Sequence, residues 1–584
     1  RKRMKKFLFL VILFTVFISK TNAVPAYPYP IKYTQPDGSV ITVQLKGDER
    51  VHWAESSDGY TLLSNGKNGW EYAVADQSGD IKASGILARE VGKRTVNELK
   101  MLKGVSKNIR FSSKQVNTLK AVWEAKYGSD KLIGTGEFFK KADPKSTVND
   151  GRRKVFTPKG TKKLIMILIE FTDVKFSKTR QNFVDLMNTQ NYNQNGAEGS
   201  VRDYFREQSY WVLDNAKGFD IETVVAPNIY TADYDMAHYG APNGSAHDIR
   251  ANDLMKEAIQ KADPDVDYTQ YDNDNDGSID GVYIIYAGYG EATGGGVNTI
   301  WPHAGGVTGT FDTKTASKYS CSNELNTNGT LTSIGVICHE FGHVCGAPDY
   351  YDTDYADGGS FTGTGNWDLM ATGVYNGTKS GSQPAHFNPF EKIRAGWLTP
   401  ITLTTPTRIT DMPDITTTPV VYKYNTNTDG EYYLMENRQK TGFNAGCPGH
   451  GLMIYHYSKS YWDASANKTA PQGFYPVCAS SGYSPTTTSD KSTYGSINTG
   501  GCPFPGTSAK DSFTDATTPT AKDWGGNNTA KPITTISESG GLITFTFISV
   551  PSINPILSFD AKAASSSQIN LTWTNNSAGN SVII

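Results

Sequence analysis

His339 and His343 stand four residues apart with Glu340 beside the first, inside the stretch GVICHEFGHVCGAPDYYD at 335–352. On an α-helix this spacing turns both imidazoles to one face, close enough to grip a single ion. Neutral imidazole suits zinc, which favours a tetrahedral shell. The Glu340 carboxylate can reach a water at such an ion and act as general base. A third ligand is needed. Gly346 lies three residues past His343, where a helix can end in the left-handed turn that glycine adopts cheaply. Pro348 cannot extend the helix, so the chain turns back and Asp349 can approach the ion. A glutamate from a following helix would be the other solution, but none occurs between Glu340 and Glu391. The flanking residues Ile334, Val336, Ile337, Phe341 and Val344 are apolar, and polar groups buried among them without a ligand would be costly.

A second constellation lies at 271–281, YDNDNDGSIDG. Asp272, Asp274 and Asp276 are spaced like positions 1, 3 and 5 of an EF-hand loop. Gly277 makes the sharp turn, Ser278 can offer its carbonyl, and Asp280 takes position 9. Position 12 is Tyr283 rather than glutamate, so any bidentate ligand must come from elsewhere. Four carboxylates in nine residues would repel one another without a cation, and the reading is structural calcium. Asp352 and Asp354 form a weaker candidate for a further site.

The elements around these residues alternate strongly. Short strands are expected at 40–45, 60–63 and 70–74, separated by turn pairs such as Asp37-Gly38 and Asp58-Gly59, with a helix at 113–126. LIMILIEF at 164–171 and VYIIYA at 282–287 read as buried strands, and 201–209 and 251–261 as helices. Short strands return at 432–435, 451–455 and 542–547, while 515–535 reads as a long loop. The fold class is α+β, with a β-rich unit before the catalytic part and another after it. An export signal is expected at 1–23, because Lys5 and Lys6 precede an apolar run too short to span a bilayer and Ala23 offers a small residue at the cut. The remaining boundaries are a propeptide at 24–155, a catalytic domain at 156–400 and a β-rich extension at 401–550. The basic stretch at 150–154 is a candidate processing site.

The 584 residues carry 56 Lys+Arg against 58 Asp+Glu, so nothing in the charge points to nucleic acid or an anionic membrane. No later stretch has ~20 uninterrupted apolar residues, so no membrane span is expected in the mature chain. GxSxG and P-loop motifs are missing from the sequence, which leaves serine-hydrolase and nucleotide chemistry without support. Six cysteines, all in the second half, are compatible with disulfides in an exported protein. Cys338 and Cys345 are too far apart on one helix to bond to each other. Cys345 could add a ligand to the ion, although a buried thiol or a disulfide is the preferred reading.

HEFGHVCGAPD resembles the metzincin signature with Asp in place of the usual third His, and GNWDLM at 365–370 resembles the Met-turn of the immune inhibitor A family of secreted bacterial metallopeptidases. GSVRDYF at 199–205, IWPH at 300–303 and PGHG at 448–451 are further matches. The resemblance implies a secreted zinc endopeptidase, extracellular or at the cell surface of a bacterium, acting on proteins or peptides and made as a zymogen. It also implies that Met370 floors the zinc site. Tyr375 and His303 are softer candidates for steadying the transition-state oxyanion. The prosegment contains no cysteine, so an Asp or Glu would have to block the ion. Residues 551–584 resemble the opening strands of a fibronectin type III module, with Ile569, Leu571 and Trp573 alternating. Two other readings stay open: an exopeptidase, and a calcium-stabilised cell-surface binding or adhesion protein whose metal helix is only structural.

Overall fold

The structure is a computed structural model that describes residues 24–127, 156–242, 247–248, 250–355, 361–549, 558–565 and 567–574. The expected signal segment at 1–23 and the basic stretch at 150–154 lie outside the described residues.

The N-terminal unit is a six-stranded antiparallel meander in which each strand pairs with the next, from Ile31–Thr34 to Ile81–Leu87. In Val40–Gly47, Ile41, Val43 and Leu45 point inward and the residues between them outward, the period of two that a half-buried strand requires. The helix Ser113–Tyr127 follows. Its Trp123 packs edge-on against His303, inside the core of the next unit.

The part expected to be catalytic is built on a mixed sheet. Its spatial order is His303–Phe311, Lys314–Leu325, Val282–Tyr289, Gly160–Glu170 and Phe219–Thr231, with the short strand Ser278–Ile279 beside Lys314–Leu325. The last four of the five run parallel, and His303–Phe311 is an antiparallel edge. Leu164, Met166 and Leu168 of the second-innermost strand face a core shared with the helix Ile334–Val344. Ile165, Ile167 and Ile169 face a core shared with the helix Ala251–Ala262. Both faces are covered, so the strand sequence is continuously apolar instead of alternating.

Beyond residue 400 come a five-stranded sheet that includes Glu431–Arg438 and Gly451–Ser458, and a three-stranded sheet of Thr407–Met412, Leu542–Phe547 and Ile533–Ser539. Leu434, Met453 and Tyr455 join the same core cluster as Leu164 and Trp367, so the apolar interior is continuous between the two regions. Arg438 is fully buried, paired with Glu436 at 2.6 Å, and donates to the Trp367 carbonyl. Ser558–Ser565 and Gln568–Thr574 form a two-stranded antiparallel hairpin. Among the described residues, no helix is long and apolar enough to cross a membrane. All six cysteines are buried free thiols.

Candidate metal centre and active site

All eleven residues of the helix Ile334–Val344 are buried. Gly342 lets the helix approach its floor: a Cβ there would stand 2.9 Å from the Met370 sulfur. The helix stops where Gly346 takes φ +89°, and the Gly346 and Ala347 amides donate back to the His343 and Gly342 carbonyls. The chain reverses and brings Asp349 to the two histidines. The two Nε2 atoms lie 3.1 Å apart, and Asp349 Oδ1 lies 3.3 Å from His339 Nε2 and 3.5 Å from His343 Nε2. Each Nδ1 is 2.8 Å from a carbonyl, Leu369 O for His339 and Ala347 O for His343. Donating Nδ1–H to these carbonyls turns the lone pair of each Nε2 toward its partners.

These residues fit a zinc ion. Donors ~2.0–2.1 Å from a tetrahedral ion lie roughly 3.3 Å from one another, and the three observed separations are 3.1, 3.3 and 3.5 Å. A direct imidazolium–carboxylate hydrogen bond would be shorter, about 2.7–2.9 Å. Neither Asp349 oxygen has a hydrogen bond, nor does Glu340 Oε2, although all are buried. Burial and the neighbouring His339 hold the His343 imidazole well below its ordinary pKa, in the neutral form that binds metals. Burial lifts the Asp349 carboxyl, against the pull of His339 and Arg50. A divalent cation would satisfy these idle oxygens and offset the cost of burying the carboxylate.

The N-terminal unit reaches into this site. Val24 is fully buried, and its N–H donates to Glu340 Oε1 at 2.9 Å. Trp301 Nε1 donates to the Val24 carbonyl at 3.0 Å, and the Tyr375 hydroxyl to the Pro25 carbonyl at 2.7 Å. The loop Asp48-Glu49-Arg50 closes the other side, with Arg50 Nη2 at 4.0 Å from Asp349 Oδ2 and Nε at 3.2 Å from Glu49 Oε1. Burial lifts the Glu340 carboxyl well above the usual range, with help from the negative charges of Glu49 and Asp349. The sequence calls for an acidic group from the N-terminal segment without singling one out. The available signal was a charged triplet at a strand junction in a cysteine-free segment.

The softer candidates separate. Met370 lies against the helix, and Tyr375 lines the cleft through its hydrogen bond to Pro25. His303 has both ring nitrogens engaged at 2.7 Å, with Trp301 O and Tyr319 Oη. Burial lowers its pKa to about 4, and it is not among the donors gathered at His339. Carboxylate oxygens of Asp272, Asp274 and Asp276 come within 4.8 Å of one another. They are also engaged locally: Asp272 accepts from the Asp276 and Gly277 amides, Asp276 from the Ser278 amide, and Lys314 Nζ lies 2.7 Å from Asp272 Oδ2. Asp280 is not in that group; it accepts from the Asn273 amide, and the charges of Asp274 and Asp276 act on it.

A buried helix bearing two histidines, a glutamate between them and an aspartate returned by a glycine bend defines a metallopeptidase-type centre. Comparison with known proteins agrees. Residues 150–397 match the model of the immune inhibitor A peptidase M6 catalytic domain. The chain is 29% identical over 287 residues to the pre-pro-metalloprotease PrtV of Vibrio cholerae, covering 40% of this chain and 29% of that protein. It is 27% identical over 288 residues to immune inhibitor A of Bacillus thuringiensis subsp. alesti, covering 39% of each. The chain thus spans well under two thirds of either relative.

Proposed function

We propose that this chain is a secreted, zinc-dependent endopeptidase of metzincin type, made as a zymogen. The observation that carries the reading is the donor set of His339, His343 and Asp349 at tetrahedral spacing, with the Glu340 carboxylate beside it. Zinc held there supplies a Lewis acid that polarises a peptide carbonyl and makes water more acidic. Glu340 takes the proton of the attacking water as the new C–O bond forms. It then delivers that proton to the amide nitrogen as the C–N bond breaks. Tyr375, which donates to the Pro25 carbonyl, is placed to donate to a substrate carbonyl oxygen as negative charge builds on it. Met370 floors the helix, and Leu369 and Ala347 hold the imidazoles through their carbonyls.

The N-terminal segment supports latency, because it occupies the cleft as a substrate would. Its carbonyls at Val24 and Pro25 accept from Trp301 and Tyr375, and Glu340 is occupied by the Val24 nitrogen. Cleavage of the expected signal after Ala23 would leave a positive amine on Val24, ion-paired with the general base. Residues 24–155 would then have to leave before substrate enters. The relative named a pre-pro-metalloprotease is consistent with such a precursor. Calcium in the loop of Asp272, Asp274 and Asp276 would brace the entry to the strand Val282–Tyr289.

The test is Glu340→Gln in secreted protein whose N-terminal segment has been removed by an added protease, beside the wild type treated in the same way. Casein cleavage should fall about 100- to 10,000-fold, while zinc content is unchanged. Undiminished cleavage would refute the assignment. Peptide mapping of the products should show internal cuts without a need for a free N-terminus.

A further inference from the structure

A second group of two histidines and a carboxylate lies outside the catalytic cluster. His52, His247 and Glu291 each bring one ligand atom to within 4.8 Å of the others. His52 begins a strand of the N-terminal unit, whereas His247 and Glu291 belong to the catalytic part. His52 Nε2 and His247 Nδ1 each lie 3.2 Å from the same oxygen, Glu291 Oε1. The His52 Nδ1 is 2.9 Å from the Asp48 carbonyl. That contact parallels the ones His339 and His343 make with Leu369 and Ala347, and it turns the Nε2 lone pair of His52 toward Glu291.

Two features favour a metal over a plain ion pair. A charge-assisted hydrogen bond from a protonated imidazole to a carboxylate is typically shorter, about 2.7–2.9 Å, than the 3.2 Å hydrogen bond between His52 Nε2 and Glu291 Oε1. Here Oε1 faces both rings at a distance close to the ~3.3 Å donor spacing of a tetrahedral ion. Glu291 Oε2 is buried and has no hydrogen bond. The surroundings are also negative. Asp248, the neighbour of His247 in the chain, is buried as well. The His247 side chain keeps 13% of its surface exposed.

We infer that His52, His247 and Glu291 hold a second divalent ion of the zinc class, which clamps the N-terminal unit to the catalytic part. Its donor set of two nitrogens and one oxygen suits zinc. His52 stacks on Trp301 at 4.6 Å, and Trp301 holds the Val24 carbonyl in the cleft. The clamp therefore secures the segment that occludes the active site, and it loses one ligand when that segment departs. This consequence rests on the zymogen reading given above; the binding site itself does not.

The experiment counts zinc by mass spectrometry in the full secreted chain carrying Glu340→Gln, which suppresses self-cleavage, after equilibration with zinc salt. Two zinc ions per chain are expected. His52→Gln and, independently, Glu291→Gln should each leave one, His339→Ala should also leave one, and His52→Gln with His339→Ala should leave none. Thermal melting identifies any variant that fails to fold, and the other clamp variant then decides. Two ions retained in both His52→Gln and Glu291→Gln would overturn the clamp. So would a single ion that disappears only with His339→Ala, and that result would leave the catalytic reading intact. A single ion that disappears only with the clamp variants would support the clamp and sink the catalytic assignment.

Discussion

The cluster at His339 and the acidic loop at Asp272 both gather three metal-competent residues, yet they meet the cost of their charges differently. At His339, Asp349 is buried and neither of its carboxylate oxygens has a hydrogen bond. At Asp272 the carboxylates already accept from backbone amides of their own turn, and Lys314 lies against one of them. Burial without hydrogen bonds makes a cation a requirement, whereas local hydrogen bonding makes it an added brace. The first cluster should be intolerant of metal loss and the second tolerant.

The largest effect should come from His343→Ala. It should abolish measurable proteolysis and remove the catalytic zinc, and zinc analysis beside a casein assay checks both. Zinc retained at full stoichiometry would erase the contrast between the regions. Next is Tyr375→Phe, which leaves the ligands intact. Losing one oxyanion donor should lower kcat about 100-fold or more, with KM and zinc content little changed.

The acidic loop should give the smaller response. Calcium should raise Tm by on the order of 5 °C at neutral pH, with proteolysis at low temperature nearly unaffected. The pH dependence follows from Asp280, whose carboxyl is pushed up to about 6 by burial. A carboxyl raised in the folded state favours folding in its protonated form. Without calcium that contribution is present below about pH 4, the ordinary carboxyl range, and is lost as pH rises through about 6. Calcium favours the ionised loop, so its effect on Tm should be large at pH 7.5 and small near pH 4.5. Lys314→Ala is the finest probe. Removing an ammonium that is partly exposed should tighten calcium binding by about 1 kcal/mol or less. Weaker binding would mean that Lys314 supports the loop instead of competing with the ion.

The helix Ile334–Val344 and its donor cluster are legible because the signal is local: two histidines at helical spacing, a glycine where the helix must end and an aspartate just beyond. The runs at 164–171 and 282–287 were equally plain, since strands covered on both faces are apolar throughout. The hairpin His303–Phe311 and Lys314–Leu325 was not read. Its Gly305, Gly306 and Gly309 and its Ser, Lys and Asn residues carry little intrinsic strand preference, and pairing with Val282–Tyr289 imposes the conformation. The C-terminal strands were found short for a related reason. Glu436, Asn437 and Arg438 look like a polar turn, but their charges are paired inside the core. The meeting of Val24 with Glu340 spans 316 positions, and no local pattern announces it.

Arg438 has a practical consequence for anyone dissecting this molecule. Its guanidinium reaches from the C-terminal sheet to the carbonyl of Trp367, three residues before the methionine beneath the helix. The Trp367 indole is anchored in turn by the carbonyl of Ile497 at 2.7 Å. Excision at the edge of the family match, residue 397, would strip both props at once. A chimera that borrows the peptidase unit therefore has to carry the downstream sheets as part of the catalyst's chassis.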